Sequence, residues 1–318
     1  MILIGSSAHP ELNKLVSEKL GIPLAPCTLG KFTNDETKVG VNVSVRGQNV
    51  YIITTGFAPI NDNLMEALMI AKACKMSNAE TVTLIIPFYP YSRQDRKTRS
   101  RECITSALVA QLIEVSGVDR VITWCLHSEQ TQGAFRIPVD NVRTDKLFGK
   151  FLREKFPEIS PKTHIVVAPD AGAMKRCRNL AISLGLKMAI IEKSRNYENG
   201  DEIEDMMLLD KDNSVKGKIA IIYDDIGDTF GTLIKACNML KDHGVKSVTA
   251  VLAHVLMSGD AKKKASECDI ITHIVGTNSV PLPSSTDLPK LIVCDVSDSI
   301  CLAIKCLEEK SSMSVIFD

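Results

Sequence analysis

Apolar and polar positions follow two rhythms along the chain. Short apolar runs rich in β-branched residues recur at Val50–Thr54, Val82–Pro87, Arg120–Cys125, Ile165–Ala168, Lys187–Ile191, Lys218–Tyr223, Ser247–Ala253 and Ile270–Val275. Runs without polar alternation predict strands covered on both faces. Between several of them lie stretches of helical period, Asn63–Lys75, Thr105–Val115, Met174–Leu184 and Leu233–Asp242. In the last of these Leu233, Ala236, Cys237 and Leu240 mark one apolar face. Strands alternating with helices predict an α/β fold, a mainly parallel sheet flanked by helices.

The halves echo each other. NLMEALMIAKACKMSNAETVTLIIPF and TLIKACNMLKDHGVKSVTAVLAHV each read as helix, short turn and strand. Setting Val82 against Val248 gives an offset of 166 (248 − 82), which also pairs Lys75 with Lys241 and Thr83 with Thr249. The same offset sets Asp62 against Asp228, but Met65 and Glu66 stand where Gly231 and Thr232 stand. Two similar α/β domains are expected, with a boundary near Asn141–Asp145. At 318 residues the chain has room for both.

Zero formal net charge removes the electrostatic case for nucleic acid or an anionic membrane surface. The amino terminus has no basic segment before its short apolar run, and no apolar stretch reaches membrane-spanning length. The ten cysteines are scattered, without CxxC or paired Cys/His spacing. They read as reduced residues of a cytoplasmic protein.

The chemistry concentrates in IAIIYDDIGDTFGTL, Ile219–Leu233. An apolar strand runs into Asp224 and Asp225, so both carboxylates stand at its carboxyl end, where open α/β sheets bind ligands. Asp228, Thr229, Phe230, Gly231 and Thr232 then lead into a helix, placing backbone N–H groups and hydroxyls where a phosphate binds well. The acids can accept hydrogen bonds from hydroxyls or hold a cation. Together these parts suit a phosphorylated sugar.

Four further segments bear polar groups near strand ends. APDAGAMKR places Asp170, Ala171, Gly172 and Ala173 ahead of a helix that opens with Lys175 and Arg176. Positive charge at that end opposes the helix dipole, which favours an anion-binding role for the two cations. YSRQDRKTRSRE follows the strand at Val82–Pro87 and gathers arginine and lysine around Asp95, a composition suited to a polyphosphate. His127 lies just beyond the strand at Arg120–Cys125. EKSRNYENGDEIE, residues 192–204, reads as a mobile polar loop in which Lys193 and Arg195 could close over reacting phosphates.

The order of these segments, with FTNDE, VRGQNVYI and IPVDN, resembles a ribose-phosphate pyrophosphokinase of the class I type from about Ser6 to Phe317. The resemblance implies two type I phosphoribosyltransferase-like domains. Residues 1–143 form the ATP side, joined by the tail 310–318, and residues 144–309 form the ribose 5-phosphate side. It implies Mg²⁺-dependent transfer of the diphosphoryl group of ATP to the C1 hydroxyl of ribose 5-phosphate, giving phosphoribosyl diphosphate and AMP. Asp224, Asp225, Asp228, Thr229, Phe230, Gly231 and Thr232 match the ribose 5-phosphate loop. Asp170, Ala171, Gly172 and Ala173 match the diphosphate loop. Phe32, Asn34, Glu36, Arg93, Gln94 and His127 match ATP-binding positions, the first three on a hairpin that reaches a neighbouring subunit's nucleotide. His127 and Asp170 are the metal candidates, and Lys193 and Arg195 the catalytic pair. Ser44, Arg46, Arg101, Asp140, Asn141, Ser311 and Phe317 resemble a site for activation by inorganic phosphate and inhibition by ADP. A homo-oligomer, a hexamer built from dimers, is implied, with related synthetase subunits as further partners.

Two departures from the family pattern bear on turnover. Ala173 replaces a glycine, so its methyl is expected to hinder backbone approach or a positive φ. Phe230 places an aromatic in the sugar-phosphate loop. The rival readings are a non-catalytic regulatory subunit, a phosphoribosyltransferase acting on a nucleobase, and a scaffold.

Overall fold

The computed structural model describes residues 1–196, 202–210 and 214–317, and at 193–196, 202–205 and 317 the backbone alone. Two compact units divide the chain. The first is Met1–Val142 with Ser279–Pro281 and Asp295–Asp318; the second is Arg143–Asn278 with Leu282–Cys294. The carboxyl-terminal segment of the first unit thus begins at Asp295. It includes the helix Ser297–Glu308, which the sequence had assigned to the second domain. Buried Ile300, Ala303 and Ile304 give that helix an apolar face, and its exposed Asp298 meets Lys19 at 2.8 Å.

In the first unit the strands β1 (Ile2–Gly5), β4 (Asn49–Ile53), β5 (Thr81–Ile85), β6 (Arg120–Trp124) and β7 (Val139–Val142) form one sheet in the order 1-4-5-6-7. Every pairing is parallel. Helices α1 (Pro10–Leu20), α2 (Ile60–Met76) and α3 (Thr105–Val115) occur among these strands in the chain, and the returning helix above packs on α1. A separate antiparallel hairpin pairs β2 (Cys27–Lys31) with β3 (Thr37–Val41). The core contains Ile52, Ile70, Val82, Leu84 and Val121, drawn from strands and helix faces alike.

The second unit holds a seven-stranded sheet in the order 10-9-8-11-12-13-14. Its strands are β8 (His164–Ala168), β9 (Met188–Asn196), β10 (Glu202–Leu209), β11 (Ile219–Gly227), β12 (Ser247–Val255), β13 (Ile271–Thr277) and β14 (Leu291–Cys294). All pairings are parallel except β9 with β10. Helices α4 (Thr144–Lys155), α5 (Met174–Leu184), α6 (Gly231–Asp242) and α7 (Ala261–Glu267) belong to the same unit; α8 (Ser297–Glu308) and the short α9 (Ser314–Phe317) lie in the first. Strand β11 is central, and Ala220, Ile221, Ile222 and Tyr223 on it are all buried. Continuous apolar character follows from that position, since both faces are covered.

One expectation changes here. Residues 192–204 were read as a loop, yet β9 continues to Asn196 and pairs with β10, setting Lys193 opposite Met206 and Arg195 opposite Ile203. Polar composition hid the strands because the ladder is made by backbone groups, whatever the side chains. The pairing slips at Ile203/Asp205, where an irregularity interrupts the alternation.

Candidate active site

Asp224 and Asp225 lie near the carboxyl end of β11, the position the apolar run foretold. The Arg176 guanidinium, from the first turn of α5, reaches both: Nη1 stands 2.6 Å from Asp225 Oδ1 and 3.3 Å from Asp224 Oδ1. Asp225 is buried and its backbone N–H donates to Asp224 Oδ1 at 2.9 Å. Burial, then the charge and hydrogen bonding of Asp225, push the Asp224 carboxyl well above the usual carboxylate range; Arg176 opposes the shift. The Cys177 thiol donates to the Tyr223 carbonyl at 3.2 Å, tying α5 to β11 immediately before the acids. Arg176 was read as an anion-binding cation. It instead forms the ion-paired base of an acidic cluster, because α5 starts beside the end of β11.

Beyond the acids the chain turns sharply. The Gly227 carbonyl accepts from the N–H groups of Leu256 and Met257, at 2.9 and 3.1 Å, and that of Asp228 from Ser258 at 3.2 Å. The end of β12 thereby holds the loop backbone in place. Helix α6 opens at Gly231 without a side-chain cap, and Thr229 and Thr232 are exposed beside its first turn. An uncapped helix end offers first-turn N–H groups to an anion.

Phe230 departs from its expected role. Its backbone is left-handed, φ 61° and ψ −1°, and its side chain is only 3% exposed within the core of the second unit. It packs beside Gly227, where an added methyl would lie 3.0 Å from its ring. The aromatic therefore fills core space, and only its backbone belongs to the loop.

Asp170 follows β8 and accepts the Ala173 N–H at 3.0 Å on Oδ1, while Ala171 and Gly172 are exposed. Ala173 is 1% exposed with φ −81° and ψ −9°, an ordinary right-handed conformation. Its backbone makes no demand for positive φ, and its methyl is buried.

In the first unit, Phe32, Asn34 and Glu36 form the exposed turn of the β2–β3 hairpin. Phe32 N–H donates to the Glu36 carbonyl at 2.8 Å, and Lys38 Nζ stands 5.4 Å from the Phe32 ring centroid. Arg93 and Gln94 follow β5 on an exposed segment, and the Gln94 N–H donates to the Tyr91 carbonyl at 3.0 Å. Further along, Glu102 Oε2 collects the Thr98 and Arg99 N–H groups and the Thr98 hydroxyl within 2.9 Å; these donors hold its carboxyl below the ordinary range. His127 is exposed after β6.

Of the candidate phosphate-effector residues, Ser44, Arg46, Arg101 and Ser311 are exposed. Asp140 pairs with Arg120 at 2.5 Å, and Asn141 Oδ1 accepts the Leu126 N–H at 3.0 Å. The last two thus fasten β6 to β7, a structural task the sequence did not suggest. The side chains of Lys193, Arg195 and Phe317 lie outside the described residues. Among the described residues no group of three or more His, Cys, Asp or Glu side chains could hold a metal ion, and no helix is long and apolar enough to cross a membrane.

Comparison with known proteins supplies the family. Residues 1–117 match the N-terminal domain of ribose phosphate pyrophosphokinase, and residues 204–318 the phosphoribosyl synthetase-associated domain. Ribose-phosphate pyrophosphokinase 2 of Saccharomyces cerevisiae is 40% identical over 99% of this chain and 96% of its own length. Ribose-phosphate pyrophosphokinase A of Dictyostelium discoideum is 39% identical over 99% of this chain and 97% of its own. The crystal structure of phosphoribosylpyrophosphate synthetase from Mycobacterium smegmatis superposes with a TM-score of 0.89 at 33% identity, covering 98% of this chain and 99% of that one. Full-length identity of this order, on the same two-sheet frame, places the chain in the ribose-phosphate pyrophosphokinase family of enzymes.

Proposed function

We propose that this enzyme transfers the diphosphoryl group of ATP to the C1 hydroxyl of ribose 5-phosphate, forming phosphoribosyl diphosphate and AMP. The observation that carries this reading is the acidic pair Asp224–Asp225, fixed by Arg176 directly before the uncapped start of α6. In this reading the 5-phosphate is held by the backbone of residues 228–232 with the hydroxyls of Thr229 and Thr232. The sugar hydroxyls donate to Asp224 and Asp225. Attack on a phosphorus within a polyanion needs alignment and charge neutralisation more than covalent assistance.

Arg93, Gln94 and the hairpin residues Phe32, Asn34 and Glu36 are assigned to the nucleotide. Lys193 and Arg195 are assigned to stabilising charge on the transferring group. Asp170 and His127 are assigned to Mg²⁺. A carboxylate is a hard oxygen donor, so Asp170 would suit this ion. When bound, Mg²⁺ neutralises charge on the phosphate oxygens.

We further assign Ser44, Arg46, Arg101, Asp140, Asn141, Ser311 and Phe317 to phosphate and ADP regulation, the assembly to a hexamer built from dimers, and the protein to the cytoplasm. Ten free cysteines suit a reducing compartment. The test is AMP release by the purified chain with ATP, Mg²⁺ and phosphate. Dependence on ribose 5-phosphate, lost in Lys193→Ala, supports the reading. AMP release indifferent to the sugar overturns it.

A further inference from the structure

Strand β11 changes its supports just before the acidic pair. Its ladder to β12 runs on to Gly227, but its ladder to β8 ends where Ile222 pairs with Val167. From Tyr223 onward the backbone therefore has a ladder partner on one side only. Side-chain groups take over at that point. The Cys177 thiol stands 3.2 Å from the Tyr223 carbonyl and 3.9 Å from the Val167 carbonyl, bridging the two strands as they part. Burial pushes this thiol up, so it stays a donor.

The Tyr223 side chain has a second anchor. Its hydroxyl shares a hydrogen bond of 2.7 Å with that of Thr144, the first residue of α4, and both residues are 1% exposed. Its ring meets Phe148, also on α4, edge to face at 5.5 Å. Phenylalanine would serve that ring contact equally well. The hydroxyl is therefore additional to packing, and it needs a partner because it is cut off from water. Residues two apart on a strand share a face, so Tyr223 points to the side on which Asp225 meets Arg176 of α5.

We propose that Tyr223 is a positioning residue for the sugar phosphate, held by Thr144 and Cys177 so that Asp224 and Asp225 meet the sugar hydroxyls. The inference rests on the assignment of those acids to ribose 5-phosphate. Tyr223 acts through the backbone it shares with Asp224, not by touching the substrate. A displaced acceptor loses part of its hydrogen bond, since such bonds weaken steeply as alignment fails. Arg176 fixes the two carboxylates from α5, and Tyr223 fixes the main chain that carries them. Replacing both hydroxyls by apolar groups of the same shape leaves stability nearly unchanged, because no buried polar group is stranded. Positioning and plain support are thereby separable.

The intact protein is titrated with ribose 5-phosphate by calorimetry, beside urea unfolding and steady-state kinetics. Tyr223→Phe combined with Thr144→Val should unfold like the parent, yet raise the Kd for the sugar phosphate about fivefold. The KM for the sugar should rise by the same factor, with kcat and the KM for ATP within about twofold of the parent. Thr144→Ser, which keeps the hydroxyl, should bind like the parent. Thr144→Val alone should bind as weakly as the double variant, since the two hydroxyls act as one unit. An unchanged Kd in the double variant overturns the inference, whatever its stability. Should the double variant fail to fold, Thr144→Ser against Thr144→Val decides on the same Kd, and equal values overturn it. A parent that does not bind the sugar overturns the sugar-phosphate reading itself, and this inference with it.

Discussion

The junction of β4 with α2 and that of β11 with α6 present two treatments of the same strand-to-helix turn. In the first unit the strand ends at Ile53, Thr54 and Thr55 are buried, and the Thr55 hydroxyl donates to the Ser279 carbonyl at 2.7 Å. Gly56 then sits against neighbouring backbone, its N–H donating to the Phe88 carbonyl at 2.8 Å. Helix α2 begins at Ile60, and Asp62 in its first turn pairs with Lys31 at 2.8 Å. In the second unit the same kind of turn carries two acids held by a guanidinium, exposed threonines and an uncapped helix. The first junction is occupied by the protein's own backbone and ion pairs. The second presents groups suited to a ligand, and the difference supports the proposed sugar-phosphate loop in one half of an internally similar chain.

The largest expected effect breaks the second junction. Asp225→Ala should lower kcat/KM for ribose 5-phosphate by about 100-fold or more, since a fixed acceptor is lost and with it the shorter of the two ion pairs to Arg176. The counterpart in the first unit, Thr55→Val, should keep kcat/KM within about threefold. Steady-state kinetics on both variants decide; equal losses would erase the distinction between the junctions.

Arg176→Ala tests what holds the acids in place. It takes the guanidinium away from two carboxylates, one of them buried, and should destabilise the protein by roughly 3 kcal/mol in urea unfolding, with sugar binding lost as well. Arg176→Lys should recover only part of this, as an ammonium lacks the planar fork. A variant as stable as the parent would mean the ion pairs are incidental.

Two glycines sharpen the contrast. A Cβ on Gly56 would lie 2.7 Å from Pro90 N and 2.8 Å from the Phe88 carbonyl, both backbone, whereas one on Gly231 would meet only Thr229 Oγ1, at 3.9 Å. Gly56→Ala should therefore cost about 3 kcal/mol of stability. Gly231→Ala should unfold like the parent and change only the KM for the sugar phosphate. Melting curves beside kinetics separate the two.

Much of this was legible from residues alone, for identifiable reasons. The apolar run at Ile219–Tyr223 marked a central strand because burial on both faces leaves no place for polar alternation, and the acids after it lie near its carboxyl end, where the candidate site was placed. The β9–β10 hairpin was not legible, since Lys193–Asn196 are polar and backbone pairing leaves no trace in composition. Phe230 was misread because a position in a loop does not reveal which way a side chain points. Its left-handed backbone, uncommon for an aromatic residue, accompanies a ring turned into the core. The closing of the first junction was not legible: the offset of 166 set Met65 and Glu66 against Gly231 and Thr232, but α2 already begins at Ile60, and composition did not show that backbone from 88–90 lies against Gly56.

A smaller effect concerns pH. The raised Asp224 carboxyl lets the folded protein bind a proton at pH values where the unfolded chain has released it. This group therefore favours folding at low pH, and the contribution disappears as pH rises from the ordinary carboxylate range near 3.9 through the raised value. Asp224→Asn should remove that slope and leave the ligand-free protein more stable than the parent above the window, while weakening sugar binding. Urea titrations at several pH values read the slope, and a variant that keeps it assigns the effect to another group.

Ala173→Gly is the smallest effect and bears on whether the chain's departures from its family limit it. If the methyl obstructed the diphosphate loop, removing it would raise turnover. The residue is instead buried and right-handed, so glycine should bring no gain in kcat. It should cost about 1 kcal/mol through the lost packing and the freer unfolded chain. A kcat rising severalfold would show that the methyl does obstruct the reacting groups, and that this loop, unlike the one before α6, is compromised in its ligand contacts.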